Sequence, residues 1–167
     1  YEFDVHPQAR WQDAEAFVSR PVTPQDVVFS LKRLRADGSP HASLLAAVDD
    51  ITIAGARTVR LSLRYPDADL PQKLASPYTV VLAPDALEGV DVRTGRVVGS
   101  GPWRFEQQLS GRVELVAWEG YFRPGEPAAR AVVFQPAVRA DVAAGLLRRG
   151  RVDMALVSEE EWRSLPA

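Results

Sequence analysis

The chain has 167 residues, of which 46% are hydrophobic and 25% are charged, a composition typical of a folded globular domain rather than of a disordered segment. Its formal net charge of −2, with acidic and basic residues interleaved along the sequence, provides no basic surface for nucleic acid or for an anionic membrane. The absence of cysteine excludes disulfides, thiolate metal sites and a cysteine nucleophile, and no apolar run is long enough to span a bilayer.

The first predicted elements are a short strand and a capped helix. Residues 1–5 alternate apolar and polar side chains, as in a half-buried strand. Thr23 can cap a helix, Pro24 suits the first helical position, and Asp26 places a carboxylate near the positive end of the helix dipole. Apolar residues at helical spacing, a basic last turn and a glycine follow. The pattern predicts a helix over residues 24–36.

The next segment predicts a hairpin, a short helix and a brief strand. Residues 51–53 and 58–65 flank a turn at Gly55, and the second run alternates between an apolar and a polar face. We expect a short helix at residues 70–75 and a strand at residues 79–82, each bounded by proline.

The C-terminal part predicts a second hairpin followed by a β-α-β unit. Ser110 and Gly111 form the hairpin turn between residues 103–108 and 113–118. The strand, helix and strand of the final unit are predicted at residues 131–135, 139–149 and 152–157. This order implies a parallel crossover. The elements together indicate an α+β (mixed α/β) fold with a mixed sheet.

The residues that could carry chemistry favour a protein that is not an enzyme. His6 and His41 each lie beside a proline in a predicted loop, without the neighbours of a catalytic triad or the close spacing of a metal chelate. The glutamates at 159–161, directly after Ser158, are typical of a capped helix start rather than of a cation site. The sequence predicts no catalytic residue, no metal site and no cofactor.

The segment Gly99-Ser-Gly101 could be taken for a phosphate-binding loop. It lacks the lysine of a phosphate-binding loop and the third glycine of a dinucleotide fingerprint. Two glycines followed by Pro102 indicate instead a tight backbone crossing between strands or subdomains. Of the tryptophans, we assign residues 11, 118 and 162 to packing.

Three separated stretches of this chain resemble one known family. Arg20–Leu34, Val98–Phe105 and Gly150–Ala155 occur in the order and with the punctuation found in the peptide/nickel class of extracytoplasmic solute-binding proteins, family 5, which deliver ligands to ABC importers. Two features depart from the family pattern, since Ala14 stands where glycine is usual and residues 15–20 look like an insertion.

The resemblance implies a periplasmic-binding-protein-like class II lobe. Residues 1–167 would form a single partial domain from the first lobe of a two-lobed clamp, with the second lobe and the C-terminal return of the first absent. The ligand-contacting residues that it suggests are Tyr78, Ser100 and Trp103, because the family brings the corresponding segments near the ligand cleft.

The resemblance also implies a function, a set of partners and a location. The function is that of the substrate-binding component of an ABC importer, which takes an oligopeptide-like or related small solute and passes it to the membrane permease subunits. The location is extracytoplasmic, either periplasmic or as a cell-surface lipoprotein. The alternative is a ligand-sensing domain of a bacterial transcriptional regulator with the same fold, which would be cytoplasmic.

Overall fold

Strands and helices follow one another along the chain in the α+β arrangement that the sequence predicts. The computed structural model describes residues 1–14, 17–87, 98–136 and 139–163. The strands of this described part are β1 (Glu2–Asp4), β2 (Val48–Ile53), β3 (Thr58–Leu63), β4 (Trp103–Leu109), β5 (Arg112–Ala117) and β6 (Ala131–Phe134). The helices are α1 (Pro24–Arg35), α2 (Leu70–Leu74), α3 (Ala140–Arg148) and α4 (Glu159–Arg163), with 3-10 turns at Ala42–Leu45 and Pro84–Leu87.

The chain divides into two compact units. Unit 1 comprises Tyr1–Glu106 and Leu115–Ala131, and unit 2 comprises Gln107–Glu114 and Val132–Ala167. Unit 1 contains the first sheet, in the antiparallel order β1-β3-β2, and the helices α1 and α2.

The core of unit 1 follows from the alternation of β3. Val59 and Leu61 are each only 1% exposed, whereas Arg60 between them points to solvent and pairs with Glu2 of β1 at 2.7 Å. Helix α1 contributes Leu31 to the apolar side of the sheet. The buried cluster consists of Leu31, Leu45, Val48, Ile51, Val59, Leu61 and Leu70. Each such side chain contributes about 2 kcal/mol to folding when it leaves water.

The start of α1 confirms the predicted cap. The Thr23 hydroxyl oxygen accepts a hydrogen bond from the Asp26 backbone N–H at 3.4 Å, and the Asp26 carboxylate accepts one from the Thr23 backbone N–H at 2.8 Å. This reciprocal pair is a capping box. Helix 24–36 of the prediction is observed as Pro24–Arg35.

The strand predicted at residues 79–82 does not form. The Thr79 hydroxyl donates to the Leu74 carbonyl oxygen at 2.7 Å, and the Leu82 backbone N–H donates to the Ser30 hydroxyl oxygen at 2.9 Å. Because Leu82 bonds to a side chain of α1 rather than to a neighbouring strand, the segment is an extended loop against α1.

The second sheet has the strand order β4-β5-β6. The turn between β4 and β5 is the predicted one, with positive φ angles of 49° at Ser110 and 81° at Gly111. Two consecutive residues in the left-handed region indicate a tight hairpin turn, and they explain why glycine stands at the second position.

The predicted β-α-β unit is only partly formed. Strand β6 and helix α3 are present, and α3 ends as expected at Gly150 (φ 63°), whose neighbour Arg151 donates its N–H to the Leu146 carbonyl oxygen at 2.9 Å. Residues 152–157 form no strand, so the parallel crossover predicted there is wrong for the described residues. The reason is that a segment with a strand-like sequence becomes a strand only when its backbone pairs with another strand. In the described residues the strands of both sheets pair only with one another.

The tryptophans assigned to packing behave differently from one another. Trp11 is fully buried, with 0% exposure. Trp118 is half-buried, and its ring lies against Gly120 so closely that a Cβ at residue 120 would meet ring atoms at 2.7 Å. Trp162 is 66% exposed, so the packing assignment is wrong for this residue. It lies on the five-residue helix α4, which has no buried residue.

Candidate functional site

The backbone of residues Gly99–Trp103, which we call the glycine turn, is held by one glutamine side chain. The Gln12 amide nitrogen Nε2 donates hydrogen bonds to the carbonyl oxygens of Gly101 at 2.9 Å and of Trp103 at 2.7 Å. The Gln12 backbone N–H donates to the Gly99 carbonyl oxygen at 2.8 Å. Three carbonyl groups of the turn are therefore fixed by a single residue.

The two glycines of the turn have different surroundings. A Cβ added at Gly99 would lie 3.3 Å from the Gln12 side-chain oxygen, whereas a Cβ at Gly101 would meet nothing within 4 Å among the described residues. The Trp118 backbone N–H donates a further hydrogen bond to the Pro102 carbonyl oxygen at 2.9 Å. This bond fixes the part of the turn that lies between Gly101 and β4. The tight crossing predicted for both glycines is thus observed at Gly99 only.

Gln12 owes its position to a loop whose ends, residues 9–11 and 20–22, pair in antiparallel fashion. The Trp11 backbone N–H donates to the Arg20 carbonyl oxygen at 2.8 Å, and the Ser19 hydroxyl donates to the Trp11 carbonyl oxygen at 2.7 Å. Because both backbone groups of Trp11 are bonded and its ring is buried, the direction of the following side chain, Gln12, is fixed.

The predicted insertion at residues 15–20 belongs to this loop. Residues 15 and 16 lie outside the described residues. Phe17 joins Ala14 through two backbone hydrogen bonds of 2.9 and 3.0 Å, and its side chain is 9% exposed in a cluster with Trp11. The insertion therefore contributes an apolar side chain to the core of unit 1.

A buried charge cluster at the start of α1 anchors the same loop. Asp26 is 2% exposed, and its carboxylate accepts hydrogen bonds from the Trp11 indole Nε1 at 3.1 Å and from two guanidinium nitrogens of Arg20 at 2.9 Å each. Arg20 also donates from Nε to Asp85 at 2.8 Å. The arginine thus joins the start of α1 to the Pro84–Leu87 turn.

The pKa values of the cluster explain why it stays ionised. Burial raises the pKa of Asp26, whereas hydrogen bonds from Arg20 and neighbouring groups lower it by more, so that its net pKa lies below the ordinary value. Hydrogen bonds to Asp85 and Asp26 raise the pKa of Arg20, and the bond with Arg20 lowers the pKa of Asp85. All three groups are charged at neutral pH.

Two predicted site residues, Ser100 and Trp103, lie in the glycine turn. Both side chains are half-buried. Neither the Ser100 hydroxyl nor the Trp103 indole N–H forms a hydrogen bond with another described residue, and no side-chain polar atom of the described residues is both buried and unpaired. The hydroxyl and the indole N–H are therefore polar groups that a bound molecule can reach.

The third predicted site residue, Tyr78, has a different setting. It is 56% exposed, on the loop after α2, and its ring stacks on the His41 ring with a centroid distance of 3.7 Å and an interplanar angle of 16°. No hydrogen bond or ring contact in the described part of the chain links Tyr78 to Ser100 or Trp103. Ser100 and Trp103 share one turn, whereas Tyr78 has a partner of its own.

Sequence reasoning did not single out Gln12 or Arg20. Gln12 belongs to no motif that the sequence analysis describes, and Arg20 enters only as the first residue of the stretch Arg20–Leu34. Their partners lie 89 and 65 residues further along the chain, at Gly101 and Asp85. No local pattern could reveal such contacts.

The described residues offer little for other kinds of site. No group of three or more histidine, aspartate or glutamate side chains among them is arranged to hold a metal ion. His6 is exposed and stacks on Phe122 at a centroid distance of 4.3 Å. Within the same described ranges, no helix has the length and apolar character needed to cross a membrane.

Comparisons with known proteins identify relatives that are named as binding proteins. The profile of a protein family described as "Bacterial extracellular solute-binding proteins, family 5 Middle" matches residues 1–166. The peptidoglycan-binding protein YepA of Agrobacterium fabrum is 32% identical over 124 residues, which cover 71% of this chain and 19% of YepA. The glutathione-binding protein GsiB of Pectobacterium atrosepticum is 26% identical over 165 residues, which cover 93% of this chain and 30% of GsiB.

Solved structures support the same fold. MoaA of A. tumefaciens R10, solved in complex with mannopinic acid, is 28% identical with a TM-score of 0.77 over 91% of this chain and 31% of MoaA. The oligopeptide-binding protein AppA of Bacillus subtilis, solved with a nonapeptide, has a TM-score of 0.81 at 20% identity over 99% of this chain and 34% of AppA, a likeness of fold. The chain thus spans between about a fifth and a third of the length of these proteins. None of these four is named as a transcriptional regulator, so the regulator alternative receives no support from them.

Proposed function

This chain belongs to the bacterial extracellular solute-binding proteins of family 5, and we propose that it forms part of the ligand-binding first lobe of a substrate-binding protein of an ABC importer. The solute is oligopeptide-like or a related small molecule. Glutathione, after which GsiB is named, and the nonapeptide bound to AppA are molecules of this class. The partners are that solute and the membrane permease subunits of the importer, and the protein works outside the cytoplasm.

The observation that carries the proposal is the contrast between backbone and side chains in the glycine turn. Its carbonyl groups are fixed by Gln12 and Trp118, while the Ser100 hydroxyl and the Trp103 indole N–H have no partner among the described residues. A rigid backbone that presents an aromatic surface and two polar groups suits recognition of a small polar ligand. We assign no catalytic step to it.

Tyr78 is the third ligand-contacting residue of the proposal. Its stacking on His41 limits the motion of the ring, and more than half of its surface remains exposed. An aromatic ring that is already held loses little conformational entropy when a ligand packs on it. Ser100, Trp103 and Tyr78 require no fixed ligand sequence, which suits a binder of varied peptides.

A two-lobed clamp of this family binds its ligand with both lobes. A ligand that bridges two lobes shifts the equilibrium from open to closed by its greater affinity for the closed form. Residues 1–167 constitute, in our proposal, one partial domain of such a clamp, with the second lobe and the C-terminal return of the first lobe supplied by further chain. The fraction of each relative that the chain covers, 34% or less in the four comparisons above, is consistent with this organisation.

Exposed apolar side chains in unit 2 support the same organisation. Met154 is 89% exposed and Leu156 96%, whereas among the described residues of this unit only Ala143 and Ala144 are buried. Met154 and Leu156 lie two residues apart between α3 and α4. Large apolar side chains are costly to leave in water. We assign them to contacts with further chain of the first lobe.

The proposal is tested by ligand binding to the protein at its full natural length. Thermal unfolding and calorimetry with reduced glutathione, tri-alanine and mannopinic acid should reveal at least one ligand that raises the melting temperature. Replacement of the Trp103 ring in W103L should weaken binding of that ligand by about tenfold or more, because an aromatic anchor commonly contributes over 1 kcal/mol. The matched variant W162L should bind as the natural protein does.

Two results would contradict the proposal. The first is the absence of binding to any of the three probes and to a wider library of tripeptides. The second is equal affinity of W103L and the natural protein, which would remove the glycine turn from the site.

A further inference from the structure

The Gln12 side chain uses its amide nitrogen to bond the glycine turn twice. It is 2% exposed, and both hydrogens of its amide nitrogen can be assigned to turn carbonyls, those of Gly101 and Trp103. These distances of 2.9 and 2.7 Å lie in the range of well-formed hydrogen bonds. An amide with two donors is one of few neutral side chains that can bond two neighbouring carbonyl groups at once.

Hydrogen bonds of the preceding residue, Trp11, also fix the position of Gln12. Trp11, the preceding residue, donates its indole N–H to Asp26, and its backbone is bonded to Arg20 and Ser19. The charge cluster at the start of α1 therefore fixes Trp11, the residue that precedes Gln12. The Gln12 amide is thus held by groups outside the glycine turn. A side chain that is held independently can fix the orientation of the turn that it bonds.

The contact is close on the turn side as well. The Gln12 side-chain oxygen lies 3.3 Å from the point where a Cβ of residue 99 would stand, so only glycine fits without displacing the amide. At Gly101 there is no such restriction within 4 Å. The steric fit and the two hydrogen bonds are independent observations that point to the same residue.

From this geometry we infer that Gln12 is the positioning residue of the ligand site, which sets the direction of the Ser100 and Trp103 side chains by holding the carbonyl groups on either side of Pro102. The inference rests on the proposed function. It assigns to Gln12 no contact with the ligand. Loss of its amide would let the turn reorient while the first sheet and α1 remain folded.

The first test measures backbone hydrogen exchange in the full-length protein. Q12M keeps the length of the side chain but removes its donors. In this variant the backbone amides of residue 12 and Trp118, which donate to the Gly99 and Pro102 carbonyl oxygens, should exchange at least about tenfold faster, whereas those of β2 and β3 should change by less than about twofold. The exposed residue Gln25 on α1 provides the matched control Q25M, which should change neither set.

Glycine variants probe the same contact from the other side. G99A pushes a methyl group against the Gln12 amide and should reproduce the local increase of Q12M, whereas G101A should leave exchange unchanged because its methyl group has room. If the amides of residue 12 and Trp118 and those of β2 and β3 were accelerated equally in both Q12M and G99A, Gln12 would be only a stability residue. Unchanged exchange of the two amides that donate to the turn would also overturn the inference.

Ligand binding separates this inference from the proposed function. With a probe that the natural protein binds, reduced glutathione or tri-alanine, Q12M should lower the affinity by about tenfold while the melting temperature without ligand falls only slightly. Undiminished affinity in Q12M overturns the positioning role but leaves the proposed function intact. Absence of binding in the natural protein refutes the proposed function, and the exchange experiment then still decides whether Gln12 holds the turn.

Discussion

At the scale of single residues, Asp26 is the buried charge that several parts of unit 1 share. Its carboxylate is almost completely buried and bonds a guanidinium, an indole and a backbone N–H at the same time. Hydrogen bonds to a buried charge contribute more than those between neutral groups, and buried donors left without an acceptor cost their desolvation as well. Asp26 therefore joins the capping of α1 to the position of the loop that carries Gln12.

The substitution D26N should destabilise the protein by about 3 kcal/mol, because it removes the charge that Arg20 faces and turns a donor toward other donors. Urea denaturation at pH 7 measures the difference. The control D85N changes a side chain that is 50% exposed and bonded to the same arginine, and it should cost less than about 1 kcal/mol. Equal losses in the two variants would contradict the central role of Asp26.

The effect of D26N should depend on pH. The pKa of Asp26 is lowered in the folded state, so the unfolded chain binds more protons than the folded chain between the folded pKa and the ordinary value of about 4. The stability contributed by the carboxylate is thus complete above about pH 5 and is lost as the pH falls through the folded pKa. The difference between natural protein and variant should shrink below about pH 4, and a difference that grows there would contradict this assignment.

At the scale of elements, the helix starts are encoded by neighbouring residues. Thr23 and Asp26 form the cap of α1, and Ser158 and Glu161 form a second capping box at α4, with the Ser158 hydroxyl 2.8 Å from the Glu161 carboxylate. The acidic run at 159–161 is therefore the helix start that the sequence predicts. Local partners within three residues suffice for such elements.

The cap of α1 provides a prediction at this scale. T23A should cost about 1 kcal/mol, because the Asp26 backbone N–H loses its side-chain acceptor. T23S keeps the hydroxyl and should lie within a few tenths of a kcal/mol of the natural protein. Denaturation midpoints of both variants measure the difference, and similar losses in T23A and T23S would show that the methyl group rather than the cap is responsible.

Strands depend on neighbours that their own sequence does not contain. Residues 58–63 alternate in sequence and form β3, because β1 and β2 lie on either side of it. Residues 152–157 also read as a strand, yet they pair with no strand of the described residues, and residues 79–82 bond to a helix side chain instead. The difference lies in the available partners and not in β-propensity.

At the scale of the whole molecule, the proposed clamp has a consequence for the 167-residue chain alone. One lobe offers only part of the ligand contacts, and closure over the ligand is impossible without the other lobe. Calorimetry on the isolated chain should therefore detect weak peptide binding or none. Micromolar affinity for tri-alanine or reduced glutathione in the isolated chain would contradict the two-lobe proposal.

The exposed segment of unit 2 gives a second prediction at this scale. L156N should leave the stability of the 167-residue chain unchanged, because Leu156 is 96% exposed there, but it should destabilise the full-length protein by about 1 kcal/mol or more if further chain covers this side chain. D153N, on the same segment, should be neutral in both. Thermal unfolding of the four variants and of the natural chain at each length tests this. A neutral L156N at full length would contradict the proposed cover.

The amino-acid sequence by itself determined the α+β class, the family, the capped helices α1 and α4 and the turn at Ser110-Gly111. These features depend on residues a few positions apart, or on motifs whose order along the chain is sufficient. Only the tertiary structure decided that Gln12 holds the glycine turn, that Arg20 joins Asp26 to Asp85, and that two strand-like segments remain unpaired. The reason is physical, since buried polar groups must find partners wherever the folded chain brings them, and those partners lie dozens of residues away.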